Sequence, residues 1–169
     1  MKKWIGANWK LHKNSAEALR FCEELKGKNL AVELALFPPA LVAETVARSF
    51  ANGPYSWGLQ NACAVLSGAF TGENSLQTGS EMGAQYVLLG HSERRHVFAE
   101  SNELIAKKFQ LATTTNLQPV LCVGETLEQR NAGSSQKIVA EQLEPCRGVT
   151  GSIVIAYEPV WAIGTGVVA

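Results

Sequence analysis

Along the whole chain, short apolar runs alternate with segments of helical period, and few architectures accept that alternation. The runs cover 4–9, 32–37, 55–60, 86–90, 119–124 and 153–158. Each is short and rich in apolar residues, as expected of strands buried on both faces. Between them, the segment 15–26 places Ser15 where it can cap a helix and sets Ala18, Leu19, Cys22 and Leu25 on one apolar stripe. Further helix-period segments span 39–50, 77–82 and 102–114, and another runs from 126 towards 143 with Gly133 as an interruption. Repeated strand-then-helix units predict an α/β fold with a parallel sheet, open or closed into a barrel. No linker or low-complexity segment divides the units, so 1–169 reads as one domain.

The ends of these runs carry polar residues. Run one ends Asn8-Trp9-Lys10, run three Gln60-Asn61, run four His91-Ser92-Glu93, run five Gly124-Glu125 and run six Glu158. Parallel α/β folds bind ligands at the carboxyl ends of their strands, so these side chains are expected to meet at one mouth. Taken singly, each has an ordinary structural reading. Lys10 fits a solvated loop lysine, His91 a satisfied structural histidine, and Glu125 a helix-start carboxylate favoured by the dipole. Their recurrence at successive strand ends favours a shared site. After Glu158, Pro159 blocks further ladder pairing, and Gly164 and Gly166 supply a mobile turn, an order that fits a base followed by its lid.

Composition narrows the partners. The 15 basic and 15 acidic side chains cancel, so no net field recruits nucleic acid or an anionic membrane. An anionic ligand has to be caught by local geometry. The charged amino terminus is followed by no apolar stretch of signal-peptide length, and no run reaches membrane-spanning length, which predicts a cytoplasmic chain. Cys22, Cys63, Cys122 and Cys146 form no CxxC pair and have no histidine at ligand spacing. Reduced, mostly buried thiols are expected, with neither a metal site nor a disulfide framework.

Five segments carry a family resemblance. Ala7-Asn8-Trp9-Lys10, Gly68-Ala69-Phe70-Thr71-Gly72-Glu73, Gly90-His91-Ser92-Glu93-Arg94-Arg95, Cys122-Val123-Gly124-Glu125 and the stretch from Ala156 to Gly166 resemble, in order, the signature segments of the triosephosphate isomerase family. The resemblance covers the chain from Trp4 onward. It implies a parallel (β/α)8 barrel and the cofactor-free interconversion of dihydroxyacetone phosphate and glyceraldehyde 3-phosphate, in glycolysis and gluconeogenesis. The small phosphorylated triose would be the partner molecule. Moving a carbonyl by one carbon requires a base for a carbon-bound proton and an electrophile for the enediolate oxygen. By resemblance Glu158 is that base and His91 the neutral electrophile, a division of labour already known for this family. Lys10 supplies positive charge, Asn8 donates a hydrogen bond beside it, and Glu93 pairs with Lys10. Backbone N–H groups around Gly164 would hold the phosphate under the closed lid. The excursion 61–75 resembles a loop that docks into a second subunit and carries Thr71 towards the partner's site, which implies a homodimer. Cys122 reads as a small packed residue beneath Glu158 rather than a nucleophile.

Departures from the family set further expectations. A full barrel typically takes about 250 residues, and six of the eight βα units are counted in these 169. The family's serine after strand seven and glycine pair after strand eight have no counterpart here. Where the family continues the lid with lysine after Gly166, this chain has Val167. The expectation is that a complete barrel is active and that this exact chain, alone, is not. A rival reading is a non-catalytic partial barrel that needs a partner chain to fold; others are a different phosphosugar enzyme on the same barrel, and a phosphate-binding module without catalysis.

Overall fold

The computed structural model describes residues 3–163. Six strands form one sheet: β1 (Lys3–Asn8), β2 (Val32–Phe37), β3 (Ser56–Leu59), β4 (Tyr86–Leu89), β5 (Gln118–Val123) and β6 (Val154–Tyr157). They lie in chain order, and every neighbouring pair is parallel. Between them run α1 (Ser15–Leu25), α2 (Ala40–Phe50), α3 (Leu76–Glu81), α4 (Ser92–His96), α5 (Asn102–Ala112), α6 (Leu127–Asn131) and α7 (Ser135–Leu143). Among the described residues this is a partial (β/α) barrel of six parallel strands, with helix following each of the first five.

The sheet curls because the residues on its inner face demand it. Trp4 on β1 and Tyr86 on β4 bring their ring centroids within 5.4 Å, and Phe37 on β2 lies 6.3 Å from Tyr86. Strands three apart in a flat sheet would stand about 14 Å apart, so contact between β1 and β4 requires a closing curve. Ala35, Phe37, Leu88, Val120 and Cys122 fill this interior. Alternate positions face outward, where Leu36, Val87, Leu89, Leu121 and Val123 pack in the larger core with the helices. Burial on both faces explains why the inner strands β3 to β5 read as continuous apolar runs. The edge strands β1 and β6, expected to be buried likewise, leave Ile5, Ile155 and Tyr157 exposed because no strand or helix covers them among the described residues. Within the described residues β1 and β6 are the edges of the sheet.

Two helix expectations are corrected. Asn14, not Ser15, caps α1: its side chain accepts from the Glu17 N–H at 3.0 Å while the Glu17 carboxylate accepts from the Asn14 N–H at 2.9 Å. This reciprocal box satisfies two otherwise orphaned donors, and Ser15 becomes the first helical residue. Leu19 leaves the buried stripe and is 47% exposed, while Phe21 turns inward against the Trp9 ring. The interruption at Gly133 is present between α6 and α7, with φ of 70°. No helix among the described residues is long and apolar enough to cross a membrane.

Candidate active site

The rim at the carboxyl ends of the strands collects the polar residues singled out above. Glu158 is the first residue after β6, and its N–H donates to the Val123 carbonyl at 2.7 Å, so β5 sets its height. Both carboxylate oxygens are engaged: Oε1 lies 3.1 Å from His91 Nε2, and Oε2 accepts from the Ser92 N–H at 3.0 Å. His91 caps α4, and its Nδ1 accepts from the Glu93 N–H at 3.2 Å. Because Nδ1 is an acceptor there, the ring proton sits on Nε2, the nitrogen that faces Glu158.

Lys10 stands across the rim. Its φ of 52° is left-handed, a conformation that costs a non-glycine residue on the order of 1 kcal/mol. Three bonds hold it: the Lys10 N–H donates to Asn8 Oδ1 at 2.9 Å, Gln60 Nε2 donates to the Lys10 carbonyl at 2.8 Å, and Lys10 Nζ meets Glu93 Oε1 at 2.8 Å. The hydrogen bond from Lys10 holds the Glu93 carboxyl below its ordinary range, with the nearby positive charge adding to it. Asn8, Lys10, Gln60, Asn61, His91 and Glu93 line one cleft of about 590 Å³. Glu158 is not on that lining; its carboxylate is held by His91 Nε2 and the Ser92 N–H. A roomier hollow of about 780 Å³ between α5 and α7 is lined by residues such as Asn102, Gln110 and Arg147. It holds none of the convergent groups.

Several supports were not apparent beforehand. Glu125 is not a helix-start carboxylate, since Thr126 caps α6 and Glu125 precedes it. Its carboxylate, 1% exposed, accepts from Tyr157 Oη at 3.0 Å and Trp161 Nε1 at 3.0 Å, with Arg130 at 3.6 Å. Burial opposes its charge, but its own backbone N–H, then Trp161, Tyr157 and the Arg130 charge, more than offset that and hold the carboxyl below its usual value. Thus Glu125 ties the segments on either side of Glu158 to the end of β5. Gln60 anchors the Lys10 backbone and also the Phe37 carbonyl at 2.8 Å. An amide at a strand end was the signal available, but its partners depend on how β1 and β2 approach.

The remaining expected residues fall in different places. Cys122 is buried in the barrel interior, and burial, then the Glu158 charge, pushes its thiol pKa well up, so a thiolate nucleophile is disfavoured. Thr71 is exposed in the excursion 61–75, which contains neither helix nor strand and is closed by the Cys63 N–H donating to the Asn74 carbonyl at 2.8 Å. Gly164, the phosphate-binding expectation, lies outside the described residues, as do Gly166 and Val167.

Gly124 has a steric reason to be glycine. A Cβ built there would overlap the Glu158 carbonyl oxygen, so the end of β5 touches the backbone of the carboxylate it supports. Gly124→Ala is expected to destabilise the chain by about 1–3 kcal/mol through this overpacking. A lowered denaturant midpoint at unchanged slope would show it, and an unchanged midpoint would mean that the two strand ends separate freely.

The family model described as triosephosphate isomerase matches residues 3–169. A triosephosphate isomerase of Bdellovibrio bacteriovorus is 42% identical over 175 residues, covering all of this chain and 72% of its own length. That of Lawsonia intracellularis is 41% identical over the whole of this chain and 71% of its own. That of Thiobacillus denitrificans is 40% identical over 98% of this chain and 68% of its own. With a match along nearly its full length, the chain belongs to the triosephosphate isomerase family of enzymes.

Proposed function

We propose that this site interconverts dihydroxyacetone phosphate and D-glyceraldehyde 3-phosphate by moving a proton between adjacent carbons through an enediolate. The observation that carries the reading is the hydrogen-bonded pair of Glu158 and a His91 whose Nε2 bears the ring proton. A carboxylate next to a neutral N–H donor supplies the two groups an enolisation needs. Glu158 takes the carbon-bound proton after its carboxylate leaves Ser92 and swings towards the cleft. His91 Nε2–H polarises the carbonyl and then passes protons between the two oxygens. Lys10, fixed by Glu93 and by its constrained backbone, attracts the phosphate and the developing negative charge, and Asn8 orients beside it. The residues around Gly164 complete the phosphate grip.

The wider reading is a cytoplasmic homodimer serving glycolysis and gluconeogenesis. Support for the dimer comes from exposed apolar side chains beside the excursion 61–75: Phe70 is 52% exposed, Val97 71% and Phe98 62%. Thr71, next to Phe70 in the sequence, is exposed too. The 169 residues alone are read as inactive, without substantial net turnover, because the edges at β1 and β6 leave inner-face side chains such as Trp4 and Val154 only partly buried.

Exchange of the substrate's carbon-bound proton with solvent deuterium tests this more sensitively than net turnover, since it needs only the base and the electrophile. Uptake of deuterium at the carbon beside the carbonyl is the expected result. A folded chain that binds the triose phosphate and exchanges nothing overturns catalysis and leaves a phosphate-binding module. Loss of fold on dilution would instead favour a partial barrel that needs a partner.

A further inference from the structure

Among the described residues, the buried polar or charged side chains are His91, Ser92, Glu100, Lys108, Glu125 and Gln142. His91, Ser92 and Glu125 belong to the site, and Glu100 pairs with Lys108 at 2.6 Å. Gln142 has no role so far. It lies on α7, 8% exposed, and does not line the cleft. Its Oε1 accepts from the Gly124 N–H at 2.7 Å, and its Nε2 donates to the Gly124 carbonyl at 3.1 Å. One amide side chain therefore takes both backbone groups of one residue.

The reason lies in how the sheet ends. Pairing of β4 with β5 stops at Leu89 and Leu121, while β5 continues to Val123. Past that point β5 still pairs with β6 through Val123, but where β4 has stopped side chains take over: Arg95 Nη2 donates to the Cys122 carbonyl at 3.1 Å, and Gln142 serves Gly124. A buried backbone amide without a partner is costly, so a strand end that outruns its ladder needs such substitutes. Gly124 is also where β5 meets the Glu158 carbonyl with no room for a Cβ. Whatever fixes the height of Gly124 fixes how closely Glu158 approaches His91 and Ser92.

We propose that Gln142 is a positioning residue for Glu158, acting through the backbone of Gly124 from the outer helix layer. For its kinetic consequence the proposal rests on Glu158 being the base; for its structural consequence it does not. Gln142→Met keeps the volume and removes both bonds. The Gly124 and Ser92 amide protons are then expected to exchange with solvent about tenfold faster, the loss of one hydrogen bond's protection, although Ser92 does not touch Gln142. With substrate, kcat is expected to fall roughly ten- to hundredfold with KM little changed, because the reacting geometry shifts while the cleft lining does not.

A purely structural role would lower the melting temperature and leave the Ser92 amide and the kcat of folded molecules as they were. The double variant Gln142→Met with Glu158→Gln should be no slower than Glu158→Gln by itself, since an effect carried by Glu158 disappears with it. If Gln142→Met fails to fold, Gln142→Glu keeps the acceptor for the Gly124 N–H but loses the donor to its carbonyl, and the Ser92 amide should still exchange faster. An unmoved Ser92 amide in a folded variant, or a KM that rises at constant kcat, overturns the proposal. Absence of solvent exchange in the unsubstituted chain would count against the isomerase reading alone, and the Ser92 amide would still decide the role of Gln142.

Discussion

Lys108→Met is expected to destabilise the chain by about 3–5 kcal/mol, a large share of the ~5–15 kcal/mol that holds a typical domain together. Lys108 and Glu100 are buried to the same degree, each side chain 4% exposed, with Nζ 2.6 Å from Oε1. The same oxygen accepts from Arg94 at 2.5 Å, and Lys108 also donates to Asn61 Oδ1 at 3.1 Å. Removing Lys108 leaves a buried carboxylate with the partly exposed Arg94 as its remaining cation. Asn61, the first residue of the excursion 61–75, loses its tie to α5 at the same time. The effect should therefore appear twice, as a lowered unfolding midpoint and as easier proteolysis within 61–75. Adding Glu100→Gln should recover part of the loss, because an uncompensated charge costs more than an absent pair. A Lys108→Met chain as stable as the parent would mean that water reaches Glu100.

The same pair gives a pH dependence with a definite sign. Burial opposes the charge on Glu100, yet Lys108 and then Arg94 reverse that and hold its carboxyl below the ordinary value. A carboxylate depressed in the folded state adds stability above its unfolded pKa, and that stability is lost as pH falls through the folded pKa. Lys108→Met removes the strongest depressing group. Its acid unfolding limb should consequently begin at a higher pH than that of the parent chain.

Much of the architecture could be read from the residues, because burial on both faces imprints an inner parallel strand as a run that needs no periodicity. The runs 32–37 and 119–124 show this, matching β2 and β5 almost residue for residue. The cap of α1 was harder, since Asn14 and Ser15 are both good caps and only the carboxylate of Glu17 selects between them. At the rim, residue types were legible: Lys10, His91 and Glu158 stand at strand ends where such side chains are otherwise unneeded. What joins them was not. Gln142 follows Gly124 by 18 positions and reads as an ordinary polar helix residue. Its bonds exist only because β5 outruns β4, a consequence of sheet stagger that no local pattern records. The burial of Lys108 was hidden similarly, for a lysine in an amphipathic segment is ordinarily solvated.

Glu158→Gln is expected to slow solvent exchange of the substrate proton by roughly 10²–10⁴-fold, the contribution typical of a positioned general base. Glutamine keeps the shape but cannot accept a proton from carbon at neutral pH. It also disturbs the resting pose in a predictable way. Each carboxylate oxygen now faces a donor, His91 Nε2–H on one and the Ser92 N–H on the other. An amide offers one oxygen, so its NH2 group must point at the second donor, and one of the two bonds is lost. Glu158→Asp separates chemistry from geometry, because it retains a carboxylate but withdraws it by one methylene, roughly 1 Å, at which misplacement alone costs about 10²-fold. The aspartate chain should therefore retain measurable exchange where the glutamine chain has little. Binding of a triose phosphate should change little in either, since Lys10, Asn8 and His91 rather than Glu158 line the cleft. Equal rates for the two variants would assign the slow step to position rather than to proton abstraction, and exchange undiminished in Glu158→Gln would move the base elsewhere on the rim, with Glu93 the nearest carboxylate to His91 after Glu158.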